Sequence, residues 1–391
     1  MPAKPGYRPF SLPWLNPGCL KRPLIRFAIR AAALLLLTQA AQAHQPDWAL
    51  GPFSRPASGN PIVAPDPAAT FNCPVTGQPV AWESLHTFNP AAAVKDGQVF
   101  LVYRAEDASG RMEVGGHTSR LGLAVSSDGI HFQRRPEPVL FPDHDAQAAE
   151  EWSGGCEDPR LVEAEDGRFI LTYTQFHRGL HPGAHLAVAT TRDFLTWEKH
   201  GNAFAKAGAR FSQANTKSGA IVTSLRDGHQ VAARIQGRYW MYYGEEGLNL
   251  ASSTDLLDWT PVQDAQGNAL KVLPLRKGNA DSALAEGGPC PILTSRGIVV
   301  LYNGKNAAPP DGDPALATGV YTVGQALFSA EDPTKLLDRA QGPCLQPEAA
   351  FEKTGQYQAG TTFAEGLVMF KGHWHLYYGC ADSFVGVAVA L

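Results

Sequence analysis

From about residue 85 the chain alternates short apolar runs with polar turns, and the alternation repeats. An apolar strand comes first, then a tight turn, then a second strand that closes on an aromatic and a polar residue. The first copy is Ala91 to Val94, Asp96-Gly97, then Val99 to Arg104. The second is Leu161-Val162, Asp166-Gly167, then Phe169 to Thr174. The third closes with Arg238 to Gly244. The fourth is Pro291 to Leu293, Arg296-Gly297, then Ile298 to Asn303. The fifth is Gly366 to Val368, Lys371-Gly372, then His373 to Gly379. A residue-Gly step between two strand-like runs predicts a tight hairpin. A further strand then runs into a polar turn, as in Leu121 to Asp128, Leu186 to Asp193 and Leu248 to Asp255. Val323 to Phe328 and Val385 to Val389 are the last two of these.

Five tyrosines mark the register: Tyr103, Tyr173, Tyr243, Tyr302 and Tyr378. The first three lie 70 residues apart, and the later gaps are 59 and 76. One antiparallel sheet of this length would leave open edges, whereas radial repetition of small sheets protects them. Five copies in one order predict an all-β fold, a five-bladed β-propeller over residues 85–391. A β-sandwich is the competing reading, and the constant order of parts argues against it. Each unit is longer than a usual propeller repeat, so the excess is expected in loops on the ligand face.

The N-terminal region reads differently. Residues 44–84 are rich in Pro, Gly, Ala and Asn and have little periodicity, which predicts an irregular arm packed on the domain. Residues 1–43 hold no Asp or Glu but carry Lys4, Arg8, Lys21, Arg22, Arg26 and Arg30. An apolar run from Ala31 to Leu37 and a small-residue signal at Ala41-Gln42-Ala43 follow. This is the pattern of a secretory leader cut after Ala43. The apolar run is too short for a permanent membrane anchor. The long basic segment ahead of it points to a start codon downstream of Met1. Removing six positive charges takes the formal net charge from −4 to −10. That balance argues against nucleic acid or an anionic membrane as partner, and suits an exported protein, periplasmic or secreted, with a neutral ligand.

Five cysteines remain after the leader: Cys73, Cys156, Cys290, Cys344 and Cys380. An odd number leaves at least one thiol unpaired. Their spacing matches no zinc site, and neither a metal nor a cofactor is expected. Cys156 has no histidine close in sequence to make it a nucleophile.

The candidate chemistry is carried by carboxylates at strand ends. In Gly154-Gly155-Cys156-Glu157-Asp158-Pro159-Arg160-Leu161 the proline restricts itself and the residue before it, so Asp158 is presented rigidly where a strand begins. Equivalent strand ends carry Asn89, Arg104, Glu106 and Asp107, then Thr174, Gln175 and His177. Lys217, Glu245, Glu246, Glu286, Asn303, Lys305, Glu365 and Asp382 occupy the later ones. Carboxylates converging on one mouth are what glycoside hydrolysis needs, one to protonate the leaving oxygen and another to activate water. For Asp158, Glu286 and Asp382 the functional reading leads. For Glu106, Asp107 and Glu246 a solvated loop position weighs equally.

Several stretches resemble glycoside hydrolase family 130, whose members are five-bladed propellers acting on β-mannosides. They are Phe88-Asn89-Pro90, Tyr103 to Asp107, Glu157 to Arg160, Lys217-Ser218-Gly219, Gly288 to Pro291, Tyr302-Asn303-Gly304 and Tyr378 to Asp382. The resemblance implies that Asp158 is the proton donor, acting through the mannose 3-hydroxyl, and that Asn89, Arg104 and Asp382 hold the terminal mannose. Many members are phosphorylases with a basic phosphate site. Here Tyr243-Gly244-Glu245 stands where they carry a His-Arg pair, and Glu286-Gly287-Gly288-Pro289-Cys290 where they read Gly-Ala-Gly-Pro-Pro. Only Lys217 clearly remains of the basic cluster. Two anionic groups would repel a phosphate dianion in a partly dry pocket and could accept a proton from water.

The resemblance therefore implies an inverting exo-β-mannosidase on β-1,2-linked mannosides, with Asp158, Glu245 and Glu286 as catalytic residues. Asn89, Arg104, Asp107, Arg160, Lys217, Asn303 and Asp382 form the expected binding set. A working acid at Asp158 would carry a raised pKa. Three other readings remain: a phosphorylase using Lys217, Arg160 and Arg178, a propeller resembling family 43, and a non-catalytic sugar-binding propeller.

Overall fold

A computed structural model describes residues 45–110, 116–179 and 183–390. The expected leader, residues 1–43, lies outside the described residues. Among them helix is confined to Ala148–Glu151, Ala209–Ser212 and a 3-10 turn at Ala350–Glu352, and the fold is otherwise all-β.

The repeats fold as antiparallel units. In the first, strands His86–Lys95, Gln98–Asp107 and Thr118–Ser126 pair in sequence order. In the second, Gly155–Glu163, Phe169–Phe176, Ala184–Thr191 and Glu198–Asn202 do the same. The third is built on Ala220–Ile221, Arg238–Tyr243 and Leu248–Ser253. The fourth pairs Leu284–Gly287 and Ile292–Thr294 with Gly297–Lys305, which pairs in turn with Tyr321–Phe328. Thr362–Phe370, His373–Cys380 and Phe384–Ala390 form the fifth.

Two of the expected hairpin turns have φ > 0 at both central residues, Asp96-Gly97 and Lys371-Gly372. That conformation matches the twist of the flanking strands. Two others differ from expectation. Glu163 pairs with Phe169, so Asp166-Gly167 sits in a longer loop closed by the Ala164 amide on the Arg168 carbonyl. Thr294 pairs with Gly297, which puts the fourth turn at Ser295-Arg296, one residue early.

The tyrosine register has a physical basis. Tyr103, Tyr173, Tyr302 and Tyr378 are buried, and each hydroxyl donates to a buried carboxylate: Glu83, Glu151, Asp281 and Glu352. Each acid also meets a cation, respectively Arg134, Lys199, Arg339 and Arg55. Three of the rings lie against a glycine on the adjacent strand, Gly122, Gly324 and Gly386, where a Cβ would strike the tyrosine. A polar atom at a buried position is tolerated only with its partners, so each strut ties a loop to its sheet. Tyr243 keeps the buried position without such an acid among the described contacts.

Residues 45–84 are mostly irregular, with one short hairpin, Phe71–Cys73 and Gln78–Val80. Ser54 and Val63 bridge to Val389 and Val385 on the last strand, and Asn60 bonds both ways with the Val387 backbone. Successive units touch at or beside the first strand of one of each pair. Gly155 packs on Ser119, Thr172 Oγ1 donates to the Gly219 carbonyl, Gly287 packs on Ser218, Asn303 clasps the Ala364 backbone, and Gly366 packs on Pro90. The five cysteines are free, and four of them are buried.

Candidate active site

The first strands of three units are interrupted at matching places. The pairing shifts between Phe88 and Pro90, between Glu157 and Arg160, and between Ala364 and Gly366. Asn89 and Asp158 in these bulges have φ of 46° and 47°, and Ser218, just ahead of the third unit's first strand, has φ of 59°. Positive φ is uncommon outside glycine, and a bulge re-aims the side chain it carries. Here the result is a meeting: Asn89 Nδ2 donates to Asp158 Oδ1 at 2.8 Å.

A cavity of about 1010 Å³ opens over this meeting point. Arg104 forms part of its wall and binds three acids. Its Nη1 is 2.9 Å from Asp158 Oδ1, and its Nη2 is 2.8 Å from Glu106 and 2.9 Å from Glu157. Nε donates to Ser119 Oγ, and the guanidinium lies over the Phe88 ring. Both bonds to Asp158 fall on Oδ1, so Oδ2 is the oxygen available to a ligand.

On another side of the cavity Lys217 Nζ lies 2.9 Å from Glu245 Oε2 and 3.4 Å from Glu286 Oε1. Glu245 lines the cavity, whereas Glu286 is buried behind it and accepts from Ser218 Oγ. Burial raises the Glu286 pKa, helped by Glu245 and opposed by Lys217 and Arg160. Burial would lower Lys217, but Glu286, Glu245 and Asp158 more than offset this and hold it well above the usual lysine range.

Asp158 departs from expectation. Burial would raise its pKa, but Arg104, Lys217, Arg160 and the Asn89 hydrogen bond outweigh burial and lower it. Its neighbour Glu157 moves the other way, because burial and the Asp158 and Glu106 carboxylates outweigh Arg104. Two adjacent carboxyls in one field do not both ionise easily. Asp382 is pushed up to about 7, by burial first, with Arg104 opposing.

The cavity thus gathers Arg104, Asp158, Lys217, Glu245 and Asp382 from the expected set. Asn89 and Glu286 stand directly behind it. The other three are placed elsewhere. Asp107 is buried in an ion pair with Arg120, away from the cavity lining. Asn303 is buried and spends both ends of its amide on the Ala364 backbone. Arg160 is buried and donates to the carbonyls of Asp158, Gly287 and Gly288 while lying 3.0 Å from Glu365. It joins the two stretches that carry Asp158 and Glu286.

Sequence reasoning left out several cavity residues. Glu157 adjoins Asp158 and was legible as an acid, but not as the proton-holding member of the pair. Phe88, Phe176, Asn215 and Gln356 also line the wall. Gln356 donates to Glu106 Oε2 and to the Asp382 carbonyl from a loop with no motif.

A family model for glycoside hydrolase family 130, described as β-1,4-mannooligosaccharide phosphorylase, matches residues 55–391. A 1,2-β-oligomannan phosphorylase of Thermoanaerobacter sp. (strain X514) is 31% identical over 309 residues, covering 79% of this chain and 90% of the relative. A solved glycosyl hydrolase of Bacteroides ovatus is 49% identical with a TM-score of 0.85, covering 88% of this chain and 95% of that one. Another solved structure is 50% identical with a TM-score of 0.85 and the same coverage. It is described as showing that the family of mannoside phosphorylases contains glycoside hydrolases that target β-1,2 mannosidic linkages in Candida mannan. With a family model matching most of its length, and the same motifs gathered around one cavity, the chain belongs to glycoside hydrolase family 130.

Proposed function

We propose that this chain is a β-mannoside-cleaving enzyme, a five-bladed β-propeller that transfers the mannosyl group to water with inversion. The observation that carries hydrolysis is the position of Lys217. The lysine that could bind phosphate is shared by Glu245 and Glu286, at 2.9 and 3.4 Å. Two unit charges of like sign at ~4 Å repel by about 4 kcal/mol at an effective dielectric of about 20. A phosphate dianion would meet that repulsion, and a water would meet two bases. The raised pKa of Glu286 suits it to the role of base, and half-buried Glu245 is the partner that orients water.

Asp158 acts as the acid. Oδ2 is the oxygen that would give its proton to the mannose 3-hydroxyl, which in turn protonates the glycosidic oxygen as the bond breaks. Water attacks the anomeric carbon from the opposite face and loses a proton to Glu286. A sugar seated on Asp158 would exclude water and weaken the hold of Arg104, which raises the acid's pKa toward its task. Asn89, Arg104 and Asp382 hold the terminal mannose. The propeller reading is supported by five antiparallel units, each of which touches the next. The leader reading adds export to the periplasm or medium, and the N-terminal residue of the exported protein tests it, with His44 expected.

Phosphorolysis is the second reading. The curated relatives are named phosphorylases, which favours it over hydrolysis on names alone. Arg178 also lines the cavity. One assay separates the two: β-1,2-mannobiose incubated with and without phosphate. Mannose released at the same rate in both supports hydrolysis. Mannose 1-phosphate formed only with phosphate overturns it, and no cleavage of any β-mannoside supports a binding protein instead.

A further inference from the structure

His86, Glu106 and His117 form a cluster that bond cleavage does not use. His86 opens the strand His86–Lys95 and sits opposite Glu106 in the register of the sheet. His117 immediately precedes the strand Thr118–Ser126. One donor atom from each lies within 4.8 Å of the other two. The histidine rings are tilted against each other with centroids 5.5 Å apart. Glu106 and His117 are 1% and 6% exposed.

Three observations point to a ligand. His117 Nδ1 is buried and has no hydrogen-bond partner. A buried polar atom of this kind calls for an explanation. His86 Nδ1 is 2.9 Å from Ser383 Oγ, which also accepts the Gln356 amide. With the proton on Nδ1, the Nε2 lone pair is free to bind, which is how an outer partner orients a ligating histidine. Finally, Glu106 has no cation to itself, because it shares the Arg104 guanidinium with Glu157 and Asp158.

We propose that His86, Glu106 and His117 bind one divalent cation of the zinc class beside the mannoside cavity. Two imidazoles and a carboxylate are a ligand set that suits zinc, and three protein ligands leave one position open. Zinc bonds of about 2.0–2.2 Å require the donors to close to about 3.4 Å, a shift within the reach of side chains. Glu106 Oε1 is held by Arg104 and Oε2 by neutral Gln356 at 3.1 Å. The metal takes Oε2, where no positive charge has to be displaced.

The test uses the full chain without an affinity tag, stripped with EDTA and titrated with Co²⁺. The expected result is one equivalent bound, with visible ligand-field bands that Zn²⁺ abolishes by displacement, and a higher unfolding midpoint with zinc. His117→Gln and the double variant His86→Gln/His117→Gln, each checked for folding by circular dichroism, should lose the bands and the shift. Absence of binding by the wild-type chain, or undiminished binding by the double variant, overturns the proposal. Either result would leave the trio as a packed hydrogen-bonding cluster.

Discussion

Asp158 Oδ1 lies 2.9 Å from Arg104 Nη1, and this contact keeps the acid ionised until something displaces it. Asp158→Asn keeps the hydrogen bond from Asn89 possible but removes the transferable proton. Turnover of β-1,2-mannobiose should fall by about 10²–10⁴-fold, the usual worth of a general acid. Mannoside binding measured by calorimetry should survive. Wild-type turnover in this variant would remove Asp158 from the mechanism.

Lys217 bridges two glutamates, one buried and one half-buried. Glu286→Gln should lower turnover more than Glu245→Gln, because the buried carboxylate carries the raised pKa. The loss expected for a general base is again about 10²–10⁴-fold. The double variant removes the charges that repel phosphate, so inhibition by phosphate should strengthen. Steady-state assays over a phosphate series check both points. Equal, small losses in the two single variants would count against water activation at this lysine.

The acids make stability depend on pH. Asp382, Glu157, Glu286 and Glu365 have folded pKa values above their unfolded ones. Between the two values the folded state holds more protons, so stability falls as pH rises. For Asp382 the window runs from about 4, the unfolded value, to about 7. Asp158 has the opposite sign, and its contribution is lost only in stronger acid, as pH falls through its depressed value. The unfolding midpoint should therefore drop by a few degrees between pH 5 and pH 7.5. Asp382→Asn should flatten part of that slope. A midpoint that climbs over the same range would contradict the arrangement.

Arg160 and Glu365 lie 3.0 Å apart, yet the contact is not an ordinary ion pair. Burial, with Asp158 and Glu286 adding to it, keeps a proton on Glu365 well above the carboxylate range. Burial and these carboxylates outweigh one guanidinium that already serves three carbonyls. Glu365→Gln mimics the protonated form and should change stability by no more than about 1 kcal/mol. Arg160→Met strands the carbonyls of Asp158, Gly287 and Gly288 and should cost about 3–5 kcal/mol. Denaturant unfolding of both variants reads the difference. An equally severe loss in Glu365→Gln would mean that the acid is charged.

Much of the architecture was legible in the chain because it depends on local pattern. Alternating apolar positions, paired turn residues and a recurring tyrosine are short-range signals, and they located all five units. The turn expected at Asp166-Gly167 is part of a longer loop and the one expected at Arg296-Gly297 forms one residue earlier, because a residue-Gly step does not specify which residues pair across it. The motif residues at strand ends were legible too, and five of the ten expected site residues line the cavity.

The sequence by itself determined an all-β chain with five repeated units and a set of acids at their strand ends. Tertiary structure decided which acids meet and what charge each carries. Asp107, Arg160 and Asn303 have the same residue types as true cavity groups, yet they are spent on Arg120, on backbone carbonyls and Glu365, and on Ala364. The bulges that aim Asn89 and Asp158 at each other are shifts in pairing between strands, and a shift has no composition of its own. The His86, Glu106 and His117 cluster is separated by 20 and 11 residues, a spacing that matches no local ligand motif. A pKa depends on burial and on charges brought in from other units, so the depression of Asp158 by Arg104 and Lys217 emerges only when three units close around one cavity.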